Sequence, residues 1–276
     1  YKMEKLQNLQ IKDNSKKVYL GIMKRMTKHG FKENTKQAKT MKYIKGFLSK
    51  FDKPSTKLDI LNVILLINDD ETLRGDIKKY RKTLQALKKN MNVKTMNEKG
   101  ETLPTIDKFK EKLDSLFEDK KYKEYIVNYL MFHYGVRNQD VNVEVQKSKP
   151  KLSIQPTKNY LILKPKEIKY IRHDYRTAKT YGPQTIIIKD TEFMTAVKEV
   201  GEGFLFDESK QLGNELRKML IFKLSESDIF KMLIDSAYKN KDTERINELS
   251  KTRGTDINTI KENYHVNATD EIIKQI

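Results

Sequence analysis

Apolar side chains in the first third of this chain recur at three- and four-residue intervals, and the longest unbroken apolar run is only Val63–Ile67. That spacing is the signature of helices that bury one stripe, and such a run is far short of the roughly 20 apolar residues a membrane span needs. One stripe is Val18, Tyr19, Ile22, Met23 and Met26 within Lys16–Lys28, ended by Gly30. A second is Met41, Ile44, Phe47 and Leu48 within Thr35–Lys50. Pro54-Ser55-Thr56 opens a third helix over Lys57–Asn68. Asp69-Asp70 opens a fourth over Thr72–Lys89, apolar at Leu73, Ile77, Tyr80, Leu84 and Leu87. Four such segments make a small bundle.

Asn90–Thr105 is polar, holds Gly100 and Pro104, and reads as a linker. The chain is therefore expected to form a basic helical domain over 1–95, a linker over 96–104 and a second domain over 105–276. That second domain opens with helical segments over Ile106–Leu116 and Tyr122–His133. Short β-type runs follow at Tyr160–Leu163, Ile168–His173 and Thr185–Lys189, separated by Pro165 and by Tyr181-Gly182-Pro183. From Phe193 onward the pattern is helical again. The expected fold class is mainly α with a small antiparallel β-sheet.

The charge is divided unevenly. Residues 1–100 carry 25 Lys/Arg against 10 Asp/Glu, whereas residues 101–276 carry 31 against 28. The net charge of +18 thus belongs almost wholly to the first third. Such a field raises encounter rates with polyanions and supplies affinity through counterion release. Lys16, Lys17, Lys24 and Arg25, off the apolar stripe of the first helix, are the candidate contacts to nucleic acid. A membrane surface is the weaker polyanion partner, because no basic helix carries a bulky aromatic face.

Cysteine is absent, which excludes disulfides, thiolate zinc sites and cysteine nucleophiles. The four histidines, His29, His133, His173 and His265, are not at metal-ligand spacing. No metal and no cofactor are expected. The chain begins at Tyr1 rather than Met, with no signal-peptide pattern, and reads as a fragment or processed form of an intracellular protein.

Four stretches carry residue types suited to phosphate chemistry. The first is Tyr134-Gly135-Val136-Arg137-Asn138-Gln139-Asp140, after an apolar helix. The second is Arg176-Thr177-Ala178-Lys179-Thr180-Tyr181-Gly182, between two β-type runs. The third is Asn214-Glu215-Leu216-Arg217-Lys218. The fourth runs from Leu249 to Tyr264 and holds Gly254-Thr255, with Tyr264 nine residues beyond Thr255. In this order the stretches resemble the motifs of the tyrosine recombinase, or phage-integrase, family. The first is similar to its T-G-L-R-x-x-E element, the second to its K-T-G turn, the third to H-x-L-R-H and the fourth to the L-G-H stretch that ends at the nucleophilic tyrosine.

The resemblance implies an N-terminal helical core-binding (SAM-like) domain joined to an α+β catalytic domain. It implies that Arg137 and Arg217 hold the scissile phosphate, that Lys179 protonates the leaving 5′-oxygen and that Tyr264 attacks. Asp140 would buttress the fold. Asn214 and Thr255 stand where the family has histidines or tryptophan; asparagine cannot exchange a proton near neutral pH, and a threonine hydroxyl is a weaker donor than a charged imidazole. The stretch Ser225–Arg245 reads as an insertion atypical of the family.

The residue types suit the reaction. Tyrosine attack on a phosphodiester builds charge on the non-bridging oxygens, which planar arginine forks match. The phenol conserves the bond energy as a 3′-phosphotyrosine, so that religation needs no ATP. The implied function is site-specific DNA recombination by a viral or mobile-element enzyme on double-stranded DNA, monomeric when free and tetrameric on DNA. Type IB topoisomerase-like relaxation and a catalytically impaired DNA-binding relative are the alternatives. The apolar residues Ile272, Ile273 and Ile276 after Tyr264 are expected to couple the subunits.

Overall fold

The structure is a computed structural model that describes residues 6–8, 10, 13–32, 40–100, 102–148, 154–207 and 211–264. The chain divides into two compact units, Tyr1–Lys94 and Thr95–Ile276. Ile272, Ile273, Ile276 and His265 lie outside the described residues.

The first unit is helical. Helix α1 (Asp13–Lys28) buries Ile22, Met23 and Met26. Val18, expected on the same stripe, stays 59% exposed, so the buried face is narrower than the sequence pattern. Helix α2 (Met41–Leu48) starts where the Thr40 hydroxyl accepts the Tyr43 backbone N–H, and buries Ile44, Phe47 and Leu48. Helix α3 (Pro54–Ile67) has proline in its first turn, where the missing N–H costs nothing. It is buried on nearly every side, from Leu58 through Ile67, and forms the centre of this unit.

Helix α4 (Glu71–Gly100) runs through most of the stretch read as a linker, which is helical up to Gly100. The polar residues after Asn90 continue the helix, because Lys, Met and Glu propagate helix well and no glycine or proline intervenes before Gly100.

The second unit is built around α6 (Tyr122–Tyr134), whose residues Tyr125 through Phe132 are all buried. Asn128 is among them. Its amide donates to the Glu124 and Met219 carbonyls and accepts from the Ile221 N–H, so a buried polar side chain is fully used. Helix α5 (Ile106–Glu118), capped by Thr105, packs on α6 and stacks Phe109 on Phe132 at 5.1 Å.

The sheet has strand order β4-β3-β2-β1-β5. Strands β2 (Asn159–Leu163), β3 (Ile168–Arg172) and β4 (Gln184–Ile188) are the three expected from sequence and pair antiparallel. Strands β1 (Val143–Lys147) and β5 (Gly203–Phe204) were not legible, being short and, in β1, half polar. Because β1 runs parallel to β2, the sheet is mixed rather than wholly antiparallel. The class remains mainly α with one small sheet.

A turn of helix, α7 (Ala178–Tyr181), lies in the β3–β4 connection, and α8 (Thr191–Val200), capped by Asp190, follows β4. Helices α9 (Leu212–Met219), α10 (Glu226–Lys239), α11 (Thr243–Arg253) and α12 (Ile257–Asn263) complete the unit. Helix α10 is the stretch read as an insertion. It opens on a reciprocal cap between Ser225 and Asp228 and buries Ile229, Phe230, Met232, Leu233 and Ile234, so it is core.

Candidate active site

Two glycines in the left-handed conformation set the geometry. Gly135 (φ 60°) ends α6, and a β-carbon there would lie 2.8 Å from Phe230 and 2.9 Å from Leu249. Gly254 (φ 61°) ends α11, where its N–H donates to the Lys251 carbonyl and the Thr255 N–H to that of Ser250. Each glycine turns the chain so that the next residues, Val136-Arg137 and Thr255-Asp256, meet.

They meet through hydrogen bonds. The half-buried Arg137 guanidinium donates to the Thr255 hydroxyl at 2.9 Å and to the Arg253 carbonyl. Burial holds Arg137 below its ordinary pKa, and the Arg253 charge adds to this; Asp140, Glu226 and Tyr264 oppose it. The Arg137 backbone N–H donates to Asp140 at 3.0 Å, which fixes the turn that carries the guanidinium.

Asp140 is fully buried and paired at 2.6 Å with the equally buried Arg172. Burial pushes its carboxyl above the ordinary value, against the pull of Arg172 and of the Arg137 N–H. Arg172 also donates to Gln184 at 2.9 Å and to the Thr252 carbonyl at 2.7 Å, tying β3 and β4 to the last turn of α11. Arg253, buried too, donates to the Gly135 carbonyl at 2.8 Å and to Glu226 at 2.6 Å, with its Cζ atom 4.1 Å from the centre of the Phe230 ring. Removing either buried cation would strand its carboxylate, a loss of about 3–5 kcal/mol for such pairs.

Tyr264 caps α12, with its N–H donating to the Ile260 carbonyl at 2.9 Å. Its ring stands edge-on to Phe230 at 4.8 Å and 5.4 Å from the Arg253 guanidinium. A pocket of about 270 Å³ opens here, lined by Arg137, Arg176, Thr177, Tyr181, Gly254, Thr255, Asp256, Thr259 and Tyr264. Asp256 is the carboxylate in this lining. Hydrogen bonds from the Thr259 hydroxyl (2.5 Å) and N–H (2.9 Å) occupy it and hold it below the ordinary carboxylate range.

Of the residues singled out from sequence, Arg137, Thr255 and Tyr264 thus share one pocket. Lys179 lies on α7, in the connection that supplies Arg176, Thr177 and Tyr181, but its side chain is exposed and outside the lining. Asn214 and Arg217 are exposed on α9 and do not line this pocket; the Asn214 amide donates to Gln211 at 3.1 Å, and Lys218 pairs with Glu215. Lys17, Lys24 and Arg25 are exposed on α1, with Lys16 partly so. Among the described residues, no group of His, Asp and Glu could hold a metal ion, and no helix is long and apolar enough to cross a membrane.

Sequence reasoning gave no role to Arg172, Arg253 or Arg176, although Arg176 and Arg253 lie within the second and fourth stretches. For Arg172 a signal existed. It follows Ile168 and Tyr170 at two-residue spacing, so a charged residue occupies the inward face of a strand, which requires a buried partner.

No protein-family model matches the sequence, and no curated protein matches it. Among solved structures, the chain is similar to the crystal structure of XerA recombinase, at 9% identity and a TM-score of 0.37, over 99% of this chain and 95% of that one.

Proposed function

We propose that the chain is a site-specific DNA recombinase that breaks and rejoins strands through a tyrosine–phosphate bond. The observation that carries this reading is the meeting of Arg137, Thr255 and Tyr264, distant in sequence, around one open pocket. In the proposed reaction the Tyr264 hydroxyl oxygen attacks the scissile phosphorus and gives up its proton to solvent water. The bond to the 5′-oxygen breaks, leaving a 3′-phosphotyrosine. Arg137 neutralises charge on the non-bridging oxygens, and the Thr255 hydroxyl, already bound to Arg137, keeps that fork aimed. Lys179 delivers the proton that the 5′-oxygen needs. Its side chain is exposed on a four-residue helical turn, and the reading requires that side chain to swing toward the pocket when DNA binds. Attack of a free 5′-hydroxyl on the phosphotyrosine reverses the chemistry and reseals the strand.

The basic first unit would hold the duplex, through Lys16, Lys17, Lys24 and Arg25 among others, with the protein monomeric in solution and tetrameric on DNA. The test uses nicked duplexes with randomised sequence around the nick, in which loss of the short 5′ fragment traps any covalent intermediate. Wild-type protein should yield a denaturation-resistant adduct from this pool, and Tyr264→Phe, which lacks only the attacking oxygen, none. Absence of an adduct with wild-type protein, or an adduct that survives in Tyr264→Phe, would overturn the proposal.

A further inference from the structure

From the reading that this pocket receives a scissile phosphodiester, we infer that Arg176 is the second guanidinium that grips the phosphate. Two non-bridging oxygens share the negative charge that develops as the tyrosine attacks, and one fork seldom suffices for both. Arg137 is already partly committed, one terminal nitrogen to the Arg253 carbonyl and the other to Thr255. Arg176 lines the same pocket. Among the described residues none is hydrogen-bonded or ion-paired to its side chain, which is exposed, so its five N–H groups are available to a ligand.

Its backbone is held in place. The neighbouring Thr177 packs against Gly254, and the Tyr175 hydroxyl donates to the Gly182 carbonyl at 2.6 Å, closing the connection on itself. Arg176 therefore sits between two fixed points beside Thr255 and Tyr264. Arg137 and Arg176 together give this lining two cations against the single, internally bonded Asp256, which leaves a net positive charge for one phosphodiester. Arg217, on α9, does not reach this lining.

The test measures adduct formation on a duplex recovered from the randomised pool, with either a phosphodiester or an uncharged methylphosphonate at the scissile position. On the phosphodiester, Arg176→Ala should slow the adduct by about 10²–10³-fold, the usual cost of one charge-stabilising donor. Arg217→Ala should lose less. Arg176→Lys should recover part of the rate, since charge returns without the fork. On the methylphosphonate the Arg176→Ala deficit should shrink to below about tenfold, because the charge it answers is gone. A purely structural role would leave the deficit equal on both substrates, and that result overturns the inference. So does an Arg176→Ala rate within about threefold of wild type on the phosphodiester, or a larger loss in Arg217→Ala. Wild-type protein that traps no adduct from the pool instead removes the reading beneath, and the inference with it.

Discussion

Thr177 and Gly254 touch so closely that a β-carbon on Gly254 would lie 2.0 Å from the Thr177 hydroxyl and 3.1 Å from its Cβ. This contact joins the β3–β4 connection to the turn between α11 and α12. It brings Arg176 to the pocket that Thr255 and Tyr264 line.

Gly254→Ala should therefore be costly twice over, through the clash and through φ 61°, which a β-carbon disfavours. A loss of about 2–4 kcal/mol in urea unfolding is expected. Adding Thr177→Ala should restore part of it, since the nearest atom is the hydroxyl, whereas Thr177→Ser should restore none. Additive losses in the double variant would refute the contact as the cause.

Acid should destabilise the fold through His133. Burial, with help from the Arg245 charge and against Asp190, lowers its pKa from 6.5 to about 4. Between those values the unfolded chain binds a proton that the folded chain does not, so stability is complete above pH 6.5 and falls as pH drops toward 4. His133→Phe, which can rejoin the ring contacts with Tyr129 and Phe132, should flatten the stability curve over that range by about 2–3 kcal/mol. Curves of equal slope would show that other groups carry the acid sensitivity.

If Lys179 is the proton donor, Lys179→Ala should slow cleavage by about 10²–10⁴-fold on ordinary DNA. Most of that loss should vanish when sulfur replaces the bridging 5′-oxygen, because a thiolate leaves without protonation. Rescue of Lys164→Ala, Lys166→Ala or Lys169→Ala in its place would assign the acid to the β2–β3 hairpin.

Neutralising Lys16, Lys17, Lys24 and Arg25 together should weaken duplex binding evenly across sequences. The salt dependence, as the slope of log K against log salt, should become shallower by up to about 3.6, since each phosphate a cation neutralises adds about 0.9. An unchanged slope would place the nucleic-acid surface elsewhere on the chain.

Much of this molecule was written locally. Pro54 and Asp70 marked helix starts in the sequence, and Thr105, Asp190, Ser225 and Asp256 set theirs just as locally, each side chain accepting a backbone N–H within its own turn. The three strands rich in Ile, Leu and Tyr were legible for the same reason. Strand β1 was not, because Val-Glu-Val-Gln-Lys has too few apolar residues to stand out from a loop until β2 and β5 pair with it.

The candidate site divides along the same line. Sequence alone singled out Arg137, Thr255 and Tyr264, through the resemblance of their motifs, taken in order, to those of the tyrosine recombinases. It also determined the two glycines, whose positive φ excludes most other residues. Only the tertiary structure decided which cations reach the pocket. In a chain with 56 Lys and Arg, proximity to Tyr264 depends on how α11, α12 and the β3–β4 connection pack, through Arg172, Arg253 and the Thr177–Gly254 contact. Those contacts span distant parts of the chain, and no local pattern encodes them; that is why Arg176, given no role in the sequence although it opens the second stretch, lines the pocket and Arg217 does not.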